Sequence, residues 1–141
     1  MARPPIPLLP RAARWSGVAV VIGVVTYFSL GSAPPQPPDP TPFWDKRLHF
    51  AAYAAVALSL AYATATWHEA SSRRTAVVLG GAVTVGAFVE LLQGQLPYRY
   101  FGWGDMLANC LGATLGTLWL PVERQIQYVP VARLATRNRS D

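Results

Sequence analysis

Apolar positions in this chain run on in long blocks. Four blocks stand out: Trp15 to Ala33, Leu48 to Trp67, Thr75 to Gln93 and Met106 to Val122. The first and fourth carry no charged side chain, the second has only His49 as an ionisable group, and the third only Glu90. Each is 17–20 residues long, near the ~20 that a helix needs to cross a hydrocarbon core of ~30 Å. The period-2 alternation of a membrane barrel strand is missing. The pattern therefore predicts four helices, each moderately hydrophobic because alanine and glycine are frequent in them.

The connections fit this reading. Residues 34–42, PPQPPDPTP, cannot continue a helix, since proline lacks an N–H and clashes with the preceding turn. HEASSRR, 68–74, reads as a short polar turn in which His68 and Glu69 are solvated. LPYRYFGWG, 96–104, mixes proline, glycine and aromatics, and its Tyr98, Tyr100 and Trp103 suit a membrane interface, as do Trp15, Trp67 and Trp119 near segment ends.

Composition points the same way. The chain is 52% hydrophobic and 13% charged, against roughly 25% charge in soluble domains, so a membrane is its natural solvent and a multi-pass cell-membrane location is expected. The net charge of +5 does not imply nucleic acid, because the arginines form no basic stripe with interleaved aromatics. They do set a direction. Arg3, Arg11, Arg14, Arg73, Arg74, Arg124, Arg133, Arg137 and Arg139 fall on one side of a four-span bundle, with only Lys46, Arg47 and Arg99 on the other. The positive-inside tendency then places both termini in the cytoplasm. The expected fold class is all-α: a polytopic bundle of four transmembrane helices over 15–122, with a cytoplasmic tail at 1–14 and a basic tail at 123–141 that touches anionic lipid through its arginines. The first block also resembles a signal peptide ending in GSA, 31–33, but its apolar run is longer than a usual h-region and Pro34 and Pro35 follow directly; a retained span is the reading taken. Cys110 is the one cysteine, which excludes an intrachain disulfide.

Against this apolar background the polar residues fall in register. Asp45, His49 and Tyr53 are spaced i, i+4, i+8, so they share a helix face that drifts by ~40° per step. Glu90 lies fifteen residues beyond Thr75, ~22 Å along a helix rising from the cytoplasm, and Gln93 shares its face. Asp105 and Asn109 are i, i+4 at the start of the fourth segment. If the three faces turn inward, these groups meet at one depth beneath the outer interface. An acid in hydrocarbon is expensive and marks a functional hypothesis; Glu90 is expected either to be protonated or to pair with Lys46, Arg47, Arg99 or His49. No comparable cluster is read on the cytoplasmic half. Gly112 and Gly116, in GATLG, with Ala108 one step earlier, form a small-xxx-small stripe for close helix approach, and Gly80, Gly81 and Gly86 offer the same in the third segment.

DKRLHFAAY at 45–53, ELLQ at 90–93, Arg99, and DMLANCLGATLG at 105–116 together resemble the VanZ-like family of small membrane proteins. The likeness covers 45–116, about half the chain, and rests on the ordered set of motifs. It implies a membrane protein of the cell envelope whose polar residues are Asp45, Lys46, His49, Tyr53, Glu90, Gln93, Arg99, Asp105 and Asn109. The founding member is linked to low-level resistance to the glycopeptide teicoplanin, which is all the resemblance says of antibiotics. The loop QLPYRYFGWGD departs from the smaller Pro-Gly-Arg turn expected of the family.

Three functions fit these residues. In a binding module, Arg99, Lys46 and Arg47 hold a phosphate or carboxylate of a membrane lipid or cell-envelope head group, while Asp45, Tyr53, Gln93 and Asn109 line the site. A complete transporter from four short spans would need a homo-oligomer. In an enzyme, His49 acts as general acid or base held by Asp45, Asp105 or Glu90, with no nucleophile in evidence. In a purely structural protein the same groups are interhelical hydrogen bonds of ~1 kcal/mol each. One histidine with Asp45, Glu90 and Asp105 is a weak ligand set, so no metal and no cofactor is expected.

Overall fold

A computed structural model describes residues 3–31, 43–67 and 71–133. The proline-rich connection, the expected turn residues His68 and Glu69, and the tail's Arg137 and Arg139 lie outside the described residues. The chain is mostly helical, in the order β1 (Pro5–Leu8), α1 (Arg11–Leu30), α2 (Trp44–Ala63), α3 (Ser71–Gln93), α4 (Trp103–Thr117), α5 (Trp119–Val122), a single 3-10 turn (Glu123–Gln125) and β2 (Gln127–Pro130).

The first three helices begin about four residues ahead of their apolar blocks, because the charged residues at each entrance join the first turn. The fourth block is not one helix. It breaks at Leu118 into α4 and the four-residue α5, as Pro121 has no N–H to give and crowds the carbonyl four residues back, that of Thr117. Two helices, Arg11–Leu30 and Ser72–Gln93, are long and apolar enough to cross a membrane.

Packing centres on α2, which lies against α1, α3 and, most extensively, α4. A β-carbon on Gly112 would overlap the Phe50 carbonyl, and one on Gly116 would come within 2.6 Å of the Ala54 oxygen. The small stripe of α4 thus lets two backbones meet, as its spacing predicts. Gly81 and Gly86 also serve contacts, but Gly80 faces open space. The core holds Tyr53, Val56, Ala57, Ala61, Val78, Ala82 and Ala113. Larger apolar side chains point away from it: Val20, Phe28, Phe88, Leu107 and Leu111 are all more than half exposed.

The end of the molecule bearing Arg14 and Arg74 contradicts the expectation that no polar cluster forms there. Arg14 is 5% exposed and donates to the Tyr62 and Ala63 carbonyls at 3.2 and 2.9 Å and to Thr66 Oγ1 at 3.3 Å. It satisfies carbonyls that the end of α2 leaves open. Arg74 donates to the Ala61 carbonyl at 2.6 Å and Thr64 Oγ1 at 3.1 Å, and pairs with Glu123 at 2.6 Å. Tyr128 Oη donates to Glu123 at 2.8 Å.

The two expected tails also meet, adding strand to the all-α reading. β1 and β2 pair in parallel, Pro5 opposite Gln127 through Leu8 opposite Pro130. Tyr62 Oη, from the end of α2, donates to the Pro7 carbonyl at 2.9 Å and accepts from the Leu9 N–H at 3.0 Å. This end is called the clasp below, and the opposite end the mouth.

Candidate functional site

At the mouth, α2 contributes Asp45, Lys46, His49 and Tyr53, α3 contributes Glu90, and α4 contributes Asp105 and Asn109. The faces of the three helices turn inward as their spacing requires. Glu90 is fully buried, Tyr53 and Asn109 are 1% exposed, and Asp105 is 5% exposed. His49 is half-buried, with Asp45 and Lys46 at the rim.

These groups form one connected set. Lys46 Nζ contacts Asp105 Oδ1 and lies 3.4 Å from Asp45 Oδ2. Asp45 Oδ1 is 3.8 Å from His49 Nε2. On the other side of the ring, His49 Nδ1 is 3.0 Å from Asn109 Oδ1 and 3.5 Å from Glu90 Oε1. Asn109 Nδ2 donates towards Glu90 Oε1 at 3.5 Å, and the Gly102 N–H donates to Glu90 Oε2 at 3.2 Å. A buried carboxylate needs such donors to be tolerated away from water. Gly86 makes room, since a β-carbon there would sit 3.2 Å from the Tyr53 ring and 3.3 Å from Asn109.

His49 thus presents Nδ1 to the Asn109 amide and the Glu90 carboxylate, and Nε2 to the Asp45 carboxylate. The Tyr53 hydroxyl is buried and has no hydrogen-bond partner among the described residues, although native structures satisfy the large majority of such groups.

Asp45, His49 and Asp105 bring ligand-type atoms within 4.8 Å of one another. The Lys46 ammonium already contacts both carboxylates and supplies the positive charge that a cation would bring.

Two expected site residues sit apart from this set. Gln93 donates to the Ser29 carbonyl at 2.9 Å, and Arg99 donates to the Phe28 and Gly31 carbonyls at 3.4 and 3.5 Å. Both engage the open carbonyl end of α1, a favourable place for a cation. Arg99 is therefore a partner of α1, and of the partners expected for Glu90 it is His49 that lies against it, at 3.5 Å. Glu90 also draws on the Gly102 amide, a backbone donor that side-chain spacing cannot reveal.

A groove of about 470 Å³ opens beside the set, between α1 and α2. Val24, Val25, Phe28, Leu48 and Ala52 form its apolar walls, and Asp45, His49, Tyr53, Gln93 and Arg99 also line it. It links the two residues at α1 to the connected set. No family model, curated protein or solved structure matches this chain.

Proposed function

We propose that this chain is a four-span membrane protein of the VanZ-like kind, with both termini cytoplasmic, whose mouth binds the head group of a membrane lipid or cell-envelope component. Support for the membrane comes from the two span-length helices and from the large apolar side chains exposed on α1, α3 and α4, more than soluble monomers usually display. The clasp gathers Arg14, Arg74 and Arg124 while the mouth holds Lys46, Arg47 and Arg99, in keeping with the mouth facing outward. Cysteines placed at 45 and 105, in a background without Cys110, are expected to react with an impermeant reagent from the same, outer side; labelling from opposite sides sinks the topology.

The observation that carries the binding role is the buried polar set of the mouth, opening on a groove and including a hydroxyl without a partner. The test is the lipid that accompanies protein purified in mild detergent, read by mass spectrometry. Wild type is expected to retain one lipid class, and His49→Ala and Glu90→Gln to lose most of it at unchanged melting temperature. Equal retention by all three proteins refutes the role.

The position of His49, with Asp45 on one side of its ring and Glu90 and Asn109 on the other, favours one second reading. A membrane-embedded acid–base enzyme would use that imidazole to take a proton from water or a hydroxyl of a lipid-linked substrate. Conversion of the retained lipid, abolished in His49→Ala, distinguishes this from binding.

A further inference from the structure

The groove between α1 and α2 has features that head-group binding alone does not require. One long side is apolar, built from Val24, Val25, Phe28, Leu48 and Ala52. Val24 and Phe28 are 50% and 54% exposed, so the groove opens sideways along the outer face of α1, where a spanning helix would meet lipid. From Trp44 at the rim to Tyr53 is nine residues of α2, ~13 Å along the axis. A volume near 470 Å³ is within the ~300–1,000 Å³ typical of small-molecule sites.

Charge is arranged along the same groove. Asp45 is an exposed-side carboxylate with 44% of its side chain accessible, and Arg99 is a guanidinium anchored over the end of α1. One anionic and one cationic group thus line a single rim, and the deeper lining includes Tyr53, whose hydroxyl lacks a partner. A purely anionic amphiphile would leave the exposed Asp45 carboxylate with Lys46, at 3.4 Å, and His49 as its neighbours and offer it no donor of its own. A soluble zwitterion would leave the apolar wall unused.

We infer that the ligand of this groove is a zwitterionic aminophospholipid that enters laterally between α1 and α2. Its phosphate lies toward Arg99, its primary amine donates to Asp45, and one acyl chain lies along Val24, Phe28 and Leu48. An ester carbonyl at the head of that chain accepts from Tyr53. The inference rests on the head-group reading above and gives that reading a lipid class and an entry route.

The test uses full-length protein in nanodiscs doped with a phosphatidylethanolamine carrying a photoreactive diazirine in its acyl chain. Adduct is expected on peptides from α1 and α2 around Val24, Phe28 and Leu48. Competition by unlabelled phosphatidylethanolamine is expected to exceed that by phosphatidylcholine or phosphatidylglycerol by about tenfold. Val24→Trp, at a half-exposed position where the core is not disturbed, is expected to cut the groove adduct severalfold at unchanged melting temperature. Asp45→Asn is expected to erase the preference for the primary amine while leaving the adduct in place. Adduct spread evenly over the exposed faces of α3 and α4, or adduct in Val24→Trp equal to wild type, overturns the groove. Equal competition by all three lipids overturns the zwitterion. If those failures occur while wild type still co-purifies with a lipid that His49→Ala loses, head-group binding stands without the groove. If wild type retains no lipid at all, both fall.

Discussion

The two ends of this molecule bury charge in opposite ways. At the clasp, Arg14 and Arg74 direct donors onto main-chain carbonyls at the end of α2, and Glu123 is held between Arg74 and Tyr128. Its polar groups mostly hold the end of α2 and the segments of β1 and β2 in place. At the mouth, side chains mainly face other side chains, carboxylates outnumber cations in the connected set, and a tyrosine hydroxyl is left over. Burial of polar groups therefore does not by itself mark a site. What separates the ends is what the polar groups face: chiefly main-chain carbonyls at the clasp, where Arg14 Nε is also buried without a partner among the described residues, and chiefly other side chains at the mouth.

This contrast breaks most sharply through the clasp. Arg74→Ala leaves Glu123 buried beside Tyr128 alone, and the loss of one partner of a buried pair typically costs about 3–5 kcal/mol. A large fall in melting temperature is expected for Arg74→Ala in detergent, with the mouth's lipid selectivity intact in the fraction that stays folded. Gly116→Val should come next. Its side chain meets the Ala54 oxygen and Ala57 Cβ at 2.6 and 2.7 Å, and overpacking of this kind costs about 1–3 kcal/mol. Differential scanning fluorimetry reads both.

Mouth variants are expected to behave in the opposite sense. Glu90→Gln should melt at or above wild type, because functional polar residues are commonly held at a cost to stability, while lipid retention drops. Tyr53→Phe removes a hydroxyl with no partner, so stability should hold or rise by up to ~1 kcal/mol as retention weakens. If both instead melt well below wild type, the mouth is glue like the clasp and the comparison collapses.

The smallest expected effect is a pH dependence confined to the clasp. Burial pushes the Tyr128 phenol up to about 12, with the Glu123 carboxylate acting in the same direction. A folded-state value above the ordinary 10.0 means stability that is complete below pH 10 and lost as pH rises toward 12. Tyr128→Phe should flatten that alkaline limb, measured as melting temperature between pH 9 and 12.

How much of this was visible in the residues alone follows from rigidity. Asp45, His49 and Tyr53 were legible as one face because a helix fixes where i+4 and i+8 point, and the same holds for Asp105 with Asn109. The level at which Glu90 meets His49 and Asn109 followed from helical rise. Arg99 was not legible, since a loop has no period, and it turned to the carbonyl end of α1. The clasp was hidden for a different reason. Arg14 and Arg74 look like ordinary flanking charges, and the acid that meets Arg74 stands 49 positions away in a segment without apolar periodicity. Prolines in Pro5–Leu8 argue against a strand by local rules, and only the pairing with Gln127–Pro130 makes it one. The break at Leu118 was legible in principle from Pro121.

The parallel pairing of β1 with β2 has a consequence for the order of assembly. Residues 5–8 emerge from the ribosome early, yet their hydrogen-bonding partners at 127–130 are synthesised some 120 residues later. The helices can form and pack while this edge still waits. Closure of the two-stranded ribbon, with Tyr62 drawing it onto α2, then reports that the second strand has been made: a chain lacking residues 127–130 presents an unpaired strand edge, and one that contains them does not.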